Sequence, residues 1–247
     1  MRKPMVLIGL FALVISGLRA QTDYVQWVVV DLTPKADKIG MFEAGLAAHN
    51  KKYHTADPYK AYVWAVNTGP GSGSYTWVMG PISFAQMDAR PVNAEHDTDW
   101  NNNVVAHCES VAEISYWRWD EELSYAPEGA QNFTKSRIRF STILPGEGDR
   151  YEEQVKKIVE VYKQKKYPAA YNVYWRYGAS EGPHAAIGMD FANWAYLDTP
   201  NTFVEDFESI HGDGSWQRFL EELDLCIDRS KTYDELTEFM PGLSSPN

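Results

Sequence analysis

The sequence predicts an α+β fold made of two β-α-β-β-α-β units whose antiparallel sheets pair with each other. Three observations point to it. First, the stretch from Pro58 to Pro91, PYKAYVWAVNTGPGSGSYTWVMGPISFAQMDARP, returns in altered form from Pro168 as PAAYNVYWRYGASEGPHAAIGMDFANWAYLDTP. Tyr62 answers to Tyr171, Gly69 to Gly178, Gly73 to Gly182, Met79 to Met189, Phe84 to Trp194 and Asp88 to Asp198. A repeat of this period marks a doubled unit. Second, the segments before and after the two copies come in the same order of types. Third, a sheet covered by helices on one face leaves its other apolar face in need of a partner, and a second copy supplies it.

The first unit opens with residues 24–32 (YVQWVVVDL), rich in Val and aromatics as strands are. Thr33-Pro34 offers a helix start, because Pro suits the first helical turn. From Ala36 to Tyr53 the residues Ile39, Phe42, Leu46 and Ala47 recur at helical spacing. The strand–turn–strand block follows. A Gly-rich loop cradles phosphate only when a helix N-terminus follows it. Here a strand follows Thr68–Ser74, so the turn reads as a hairpin loop. Residues 91–99 are polar. Helical spacing resumes over residues 100–112 through Val104, Val105, Cys108 and Val111, and residues 114–122 (ISYWRWDEE) read as a strand.

The second unit repeats this order. Residues 137–144 (RIRFSTIL) alternate, with Ile138, Phe140, Thr142 and Leu144 on one side and Arg137, Arg139, Ser141 and Ile143 on the other. Residues 151–167 form an amphipathic helix with Val155, Ile158, Val159 and Tyr162 on its stripe. The repeated strand pair comes next, then a polar segment, then a helix over residues 215–224. A last short strand is expected near Ile227, since Tyr233-Asp234-Glu235-Leu236 parallels Asp120-Glu121-Glu122-Leu123. The division is residues 1–20 as a signal peptide, 21–130 as the first unit and 131–247 as the second.

The signal peptide rests on Arg2 and Lys3, the apolar run from Met5 to Leu18 and a small residue, Ala20, before Gln21. It predicts export to the periplasm or the extracellular space. The apolar run is short for a membrane span, which needs about 20 residues, and no second one follows. Loss of Arg2, Lys3 and Arg19 takes the formal charge from -11 to -14. Such an acidic chain repels phosphate backbones, which argues against a nucleic-acid partner. Cys108 and Cys226 each lie on an apolar stripe, so they read as buried free thiols rather than a bridge. Asn132-Phe133-Thr134 is a glycosylation sequon.

The order β-α-β-β-α-β is the ferredoxin-like plan. With two units in one chain, the sequence resembles the dimeric α+β-barrel superfamily as a tandem duplication, over residues 24–125 and 136–240. The resemblance implies a ligand held between sheet and helices or within the barrel. Its members include cofactor-free monooxygenases, haem-degrading and haem-dependent enzymes and plain small-molecule binders. Fold analogy does not choose among them.

The residues narrow the choice. Arg137 and Arg139 alternate with apolar neighbours, Asp31 ends the matching first strand, Arg118 lies in YWRWD and Arg176 in YNVYWRY. If the apolar sides of these strands face the helices, the charged side chains point between the sheets and suit an anion. Trp64, Trp117, Tyr174 and Trp175 would wall an apolar ligand. The competing reading is an Arg–carboxylate network that satisfies a polar sheet interface. His184, at the strand after the second hairpin, is the best single candidate for proton transfer or metal ligation. A haem-ligating histidine stays open, and no cofactor is named. His49 and His54 sit near the end of the first helix, where a solvated role fits, and His96 lies in a polar stretch. No HExxH, nucleophile elbow or zinc-type spacing is visible, so no metal ligand is assigned. The leading reading is an exported small-molecule-binding protein. The alternatives are an oxygenase-type enzyme, cofactor-free or haem-associated, and an interaction module with a filled barrel.

Overall fold

Residues 24–128, 130, 133–178 and 182–246 are described by the computed structural model. The signal segment 1–20, its cut before Gln21 and Asn132 of the sequon lie outside the described residues. Strand β1 (Val25–Pro34) runs past the expected helix start. Its last residues pair with a short edge strand, β4 (Cys108–Val111), which keeps Thr33 and Pro34 extended. Helix α1 (Ile39–Tyr53) therefore begins later than Ala36, behind Lys38, whose side chain makes no cap. Strands β2 (Ala61–Val66) and β3 (Tyr75–Met79) form the hairpin around the Gly-rich turn.

A short helix, α2 (Phe84–Asp88), starts with a capping box between Ser83 and Gln86. Helix α3 (Ala94–Asn103) begins ahead of the expected position because Asn93 accepts the Glu95 and His96 N–H groups. Cys108 and Val111 consequently lie on a strand, not on a helical stripe. Strand β5 (Ser115–Tyr125) ends the first half.

The second half holds β6 (Lys135–Ser141), α4 (Gly148–Lys165), β7 (Ala170–Tyr177) and β8 (Ala185–Phe191). The polar segment after β8 contains a helix the sequence reading missed, α5 (Phe203–His211), followed by α6 (Ser215–Cys226). The final strand is β9 (Tyr233–Phe239), and Ile227 makes only an isolated bridge to Ile143.

Pairing runs β3-β2-β9-β6-β8-β7-β5-β1-β4, and β1 also pairs with β3. Eight antiparallel strands thus close into a barrel, with β4 attached outside the ring. The order is β5-β1-β3-β2 in the first half and β9-β6-β8-β7 in the second, joined at β2–β9 and β7–β5. The joints are edge to edge, so the inner faces become one barrel wall.

Three apolar layers follow from the two faces of each strand. Phe42 and Leu46 of α1 pack on Val28, Val30, Val63 and Trp77 outside the first-half strands. Tyr151, Val155 and Val159 of α4 pack on Tyr171 and Val173 outside the second-half strands. Inside the barrel lie Trp27, Trp64, Val78, Trp117, Ile138, Tyr174, Ala186 and Phe239, one from each of the eight strands. Burying a large side chain of this kind contributes roughly 1.5–3 kcal/mol. Both thiols are buried and free. Cys108 belongs to the first outer layer and Cys226 to the second, on separate sets of helices. Among the described residues no helix is long and apolar enough to cross a membrane.

Candidate functional site at the barrel mouth

One end of the barrel interior is polar. Asp31 of β1 stands opposite Thr76 of β3, and the Thr76 hydroxyl donates to Asp31 Oδ1 at 2.7 Å. Tyr233 and Glu235 begin β9 on the inward face, with Tyr233 stacked on Phe140 at 5.1 Å between centroids. Arg176 enters from β7, near enough to Asp31 and Tyr233 to act on their charges. The Gly-rich turn leans over this end. The Gly71 N–H donates to Glu235 Oε1 at 2.8 Å. A Cβ on Gly69 would stand 2.5 Å from the Asp234 carbonyl oxygen, which is why the turn needs glycine there.

The electrostatics of this end suit acid–base work. Desolvation raises the Asp31 pKa, against the opposing pull of Thr76 and Arg176. Yet Asp31 is exposed to solvent, so it lines an opening that protein crowds from several sides. Glu235 is buried, and desolvation raises its pKa despite the Gly71 bond, with the negative charge of Asp31 adding to the rise. Desolvation also pushes Tyr233 up to about 12. Two carboxylates near one another, both reluctant to ionise, with a guanidinium beside them, form a constellation in which one acid can stay protonated while the other accepts a proton.

Deeper in the barrel a second polar group is sealed from water. Asp190 of β8 is 1 % exposed. The Asn172 amide donates to its Oδ2 at 2.8 Å, and Trp119 Nε1 donates to Asn172 Oδ1 at 3.3 Å. Among the described residues no hydrogen bond reaches Asp190 Oδ1. Burial pushes the Asp190 pKa up to about 6, opposed by Ser136 and Asn172.

Asp31, Trp64, Tyr174 and Arg176 thus face the barrel interior, as expected from the strands. Arg118, Arg137 and Arg139 do not. The expectation that they point between the sheets is corrected by the pleat: Trp117 and Trp119 take the inner face of β5, and Ile138 and Phe140 that of β6. Apolar sides face the barrel as well as the helices, so the alternate Arg residues turn outward. Arg139 Nε donates to Asp234 Oδ1 at 2.7 Å and Arg137 Nε to Asp234 Oδ2 at 3.2 Å. Both guanidiniums are about half exposed, a surface network. Arg118 lies between the Tyr24 and Tyr177 rings, 4.3 and 4.1 Å from their centroids. Trp175 also faces outward and donates to Asp120 Oδ2 at 3.0 Å.

His184 sits at the entrance to β8 with its Nδ1 accepting the Ile143 N–H at 3.1 Å. That bond ties β8 to the segment after β6 and leaves the ring hydrogen on Nε2. His49 and His54, expected in solvent, are fully buried, because the end of α1 is covered by α3 and the loop after α1. Desolvation lowers both pKa values, that of His54 to about 3. Sequence reasoning missed Thr76, Tyr233 and Glu235. Only the parallel between residues 233–236 and 120–123 hinted that a strand passes there.

A surface groove of about 350 Å³ lies elsewhere, between the end of β5 and α4. Its rim alternates Glu152, Lys156, Glu160 and Lys163, and it is open to water. A haem needs an apolar slot and an axial ligand. The layer under α4 is filled by Tyr151, Val155, Val159, Tyr162, Tyr171 and Val173. The barrel centre is filled by Trp27, Trp64, Trp117 and Tyr174. His184 is held by Ile143, and His211 Nε2 lies 3.1 Å from the Lys157 carbonyl. Among the described residues, side chains fill both layers in which a haem would lie.

No family model matches the sequence. A search of curated proteins finds no match either. Solved structures do resemble the fold. An anthrone oxidase-like protein aligns with a TM-score of 0.57 at 10% identity, over 89% of this chain and 92% of its own. A candidate monooxygenase from Fusobacterium nucleatum aligns with a TM-score of 0.56 at 11% identity, over 92% of this chain and 100% of its own. A heme-binding protein from Thermus thermophilus aligns with a TM-score of 0.51 at 7% identity, over 89% and 92%. At such identities the likeness is one of fold: a ferredoxin-like α+β barrel.

Proposed function

We propose that this chain is an oxygenase-type enzyme that takes a small, acidic aromatic compound at the mouth of its barrel and uses a carboxylate there as general base. One observation carries the reading: solvent-exposed Asp31 shares its opening with Glu235 and Arg176, and both carboxylates have raised pKa values. Asp31, held by Thr76, takes a proton from the compound. Arg176 stabilises the anion that results. Glu235, the more buried acid, stays protonated and donates to the same anion. The electron-rich aromatic anion passes an electron to dioxygen, the second substrate, without a resident cofactor; the radical and superoxide join in a C–O bond, the peroxide takes up the abstracted proton, and loss of water leaves a carbonyl. Phe140 and Tyr233 supply an aromatic wall. The anthrone oxidase-like neighbour supports the choice of probe, since an anthrone is an aromatic ketone with an acidic C–H.

The test is dioxygen uptake with anthrone as probe. Asp31→Asn and Glu235→Gln are expected to lower turnover by about 10²-fold or more with melting temperatures near that of the parent. No uptake by the parent, or full turnover in both variants, would sink the reading. His184→Ala separates two roles for that ring: lost turnover at unchanged stability makes it a proton carrier, and lost stability at full turnover makes it an anchor.

A binding protein without turnover is the second reading, favoured by Arg176 beside aromatic walls. It predicts saturable quenching of the barrel tryptophans by an aromatic acid and no dioxygen uptake. The barrel is read as two ferredoxin-like repeats, 21–130 and 131–247, supported by the matched strand orders of the halves. Residues 1–20 are read as an export signal, and a mature chain starting at Gln21 outside the cytoplasm would support that.

A further inference from the structure

We propose that His49, His54 and His96 form a binding site for a divalent transition metal of the zinc type, outside the barrel and apart from its mouth. The three rings come from the end of α1, the residue after it and the first turn of α3. One nitrogen of each lies within 4.8 Å of the others.

Partners that orient the three rings are already in place. His49 Nδ1 meets Asp99 Oδ2 at 2.7 Å, His54 Nδ1 meets the Tyr59 carbonyl at 2.7 Å and His96 Nδ1 meets Asp97 Oδ1 at 2.9 Å. All three partners are acceptors, so each Nδ1 carries the hydrogen and each Nε2 of a neutral ring presents a lone pair. Histidines that ligate metals are held in this way, through their other nitrogen, by carboxylates and carbonyls.

With each ring neutral and its hydrogen on Nδ1, the Nε2 lone pairs face one another. His54 Nε2 and His96 Nε2 are 3.4 Å apart. Two nitrogens at 2.0–2.1 Å from a tetrahedral ion stand about 3.3–3.4 Å apart. His49 Nε2 is buried and among the described residues has no hydrogen-bond partner, which is costly unless something is bound there. Three neutral imidazoles with one position left open suit Zn²⁺, Co²⁺, Ni²⁺ or Cu²⁺ rather than a hard oxygen-seeking ion. The Arg90 guanidinium now donates to the His96 lone pair, with Nη2 3.2 Å from His96 Nε2. It must let go when the ion enters, and is then placed to donate to a metal-bound water or anion.

The experiment uses the tag-free chain, stripped with chelator and titrated with Zn²⁺ by calorimetry, then with Co²⁺ by visible absorption. One equivalent is expected with a Kd of about 1 µM or tighter, together with the intense bands of tetrahedral Co²⁺. His96→Ala, at the half-buried corner, is expected to fold and to lose at least 100-fold in affinity. Arg90→Ala is expected to bind more tightly, because it removes a competing cation. A Kd weaker than about 10 µM, or an affinity unchanged in His96→Ala, would overturn the proposal.

Discussion

Replacing Asp190 with Asn should make the protein more stable at alkaline pH and nearly neutral in effect at acid pH. Asp190 lies sealed in the barrel wall between β6 and β7, with one amide donor on Oδ2 and, among the described residues, none on Oδ1. Its pKa rises from 3.8 in the unfolded chain to about 6 in the fold, chiefly by desolvation. A folded-state value above the unfolded one means that the fold retains a proton the open chain releases. The group therefore costs nothing below pH 3.8. Stability falls as pH rises through the window from 3.8 to about 6, and the full penalty stands above it. Two units of pKa correspond to about 3 kcal/mol. Urea unfolding of parent and Asp190→Asn at pH 4 and pH 8 reads this directly. The difference between the two proteins should shift by about 2 kcal/mol in favour of the variant between those pH values, since part of the penalty is already present at pH 4. Comparing variant with parent removes the contribution of Asp31 and Glu235, which titrate in both. An equal change at both pH values would refute the reasoning, because it would mean that Asp190 binds its proton as tightly in the open chain as in the fold; a larger loss at pH 8 would refute it too, because it would mean that the fold stabilises the carboxylate as an ion.

Gly45→Ala should cost at least about 3 kcal/mol, at the upper end of overpacking, since its Cβ would stand 1.8 Å from the Asn103 carbonyl oxygen where α1 meets α3. Chemical unfolding measures it, and a neutral result would mean that the two helices part freely. Arg139→Ala should cost under about 1 kcal/mol, as exposed ion pairs do, because Arg137 still holds Asp234. A loss above about 3 kcal/mol would show that the pair behaves as a buried one.

The sequence carried much of the barrel. The Val-rich and aromatic runs marked β1 and β7 as strands, and the order of element types pointed to the α+β barrel that the strand pairing closes. Helix α4 was legible because its stripe is strong, whereas α3 was displaced by the Asn93 cap, which outweighs the weak spacing of residues 100–112. Helix α5 was hidden in a stretch that reads as polar, since only Phe207 of it is fully buried.

The candidate site was half legible. Alternation in RIRFSTIL separates Arg137 and Arg139 from Ile138 and Phe140, but period two is the same whichever face turns inward. Closure of the barrel decided it, by making the interior apolar and sending those Arg residues out to Asp234. Glu235 and Asp31 lie on strands 204 residues apart in sequence numbering, and His54 and His96 are 42 apart. Periodicity and capping are local, so the chain by itself determined which segments become strands and helices and in what order they run. Which side chains meet depends on how edges join and helices cross. Only the tertiary structure brought two carboxylates to one mouth and three imidazoles to one point.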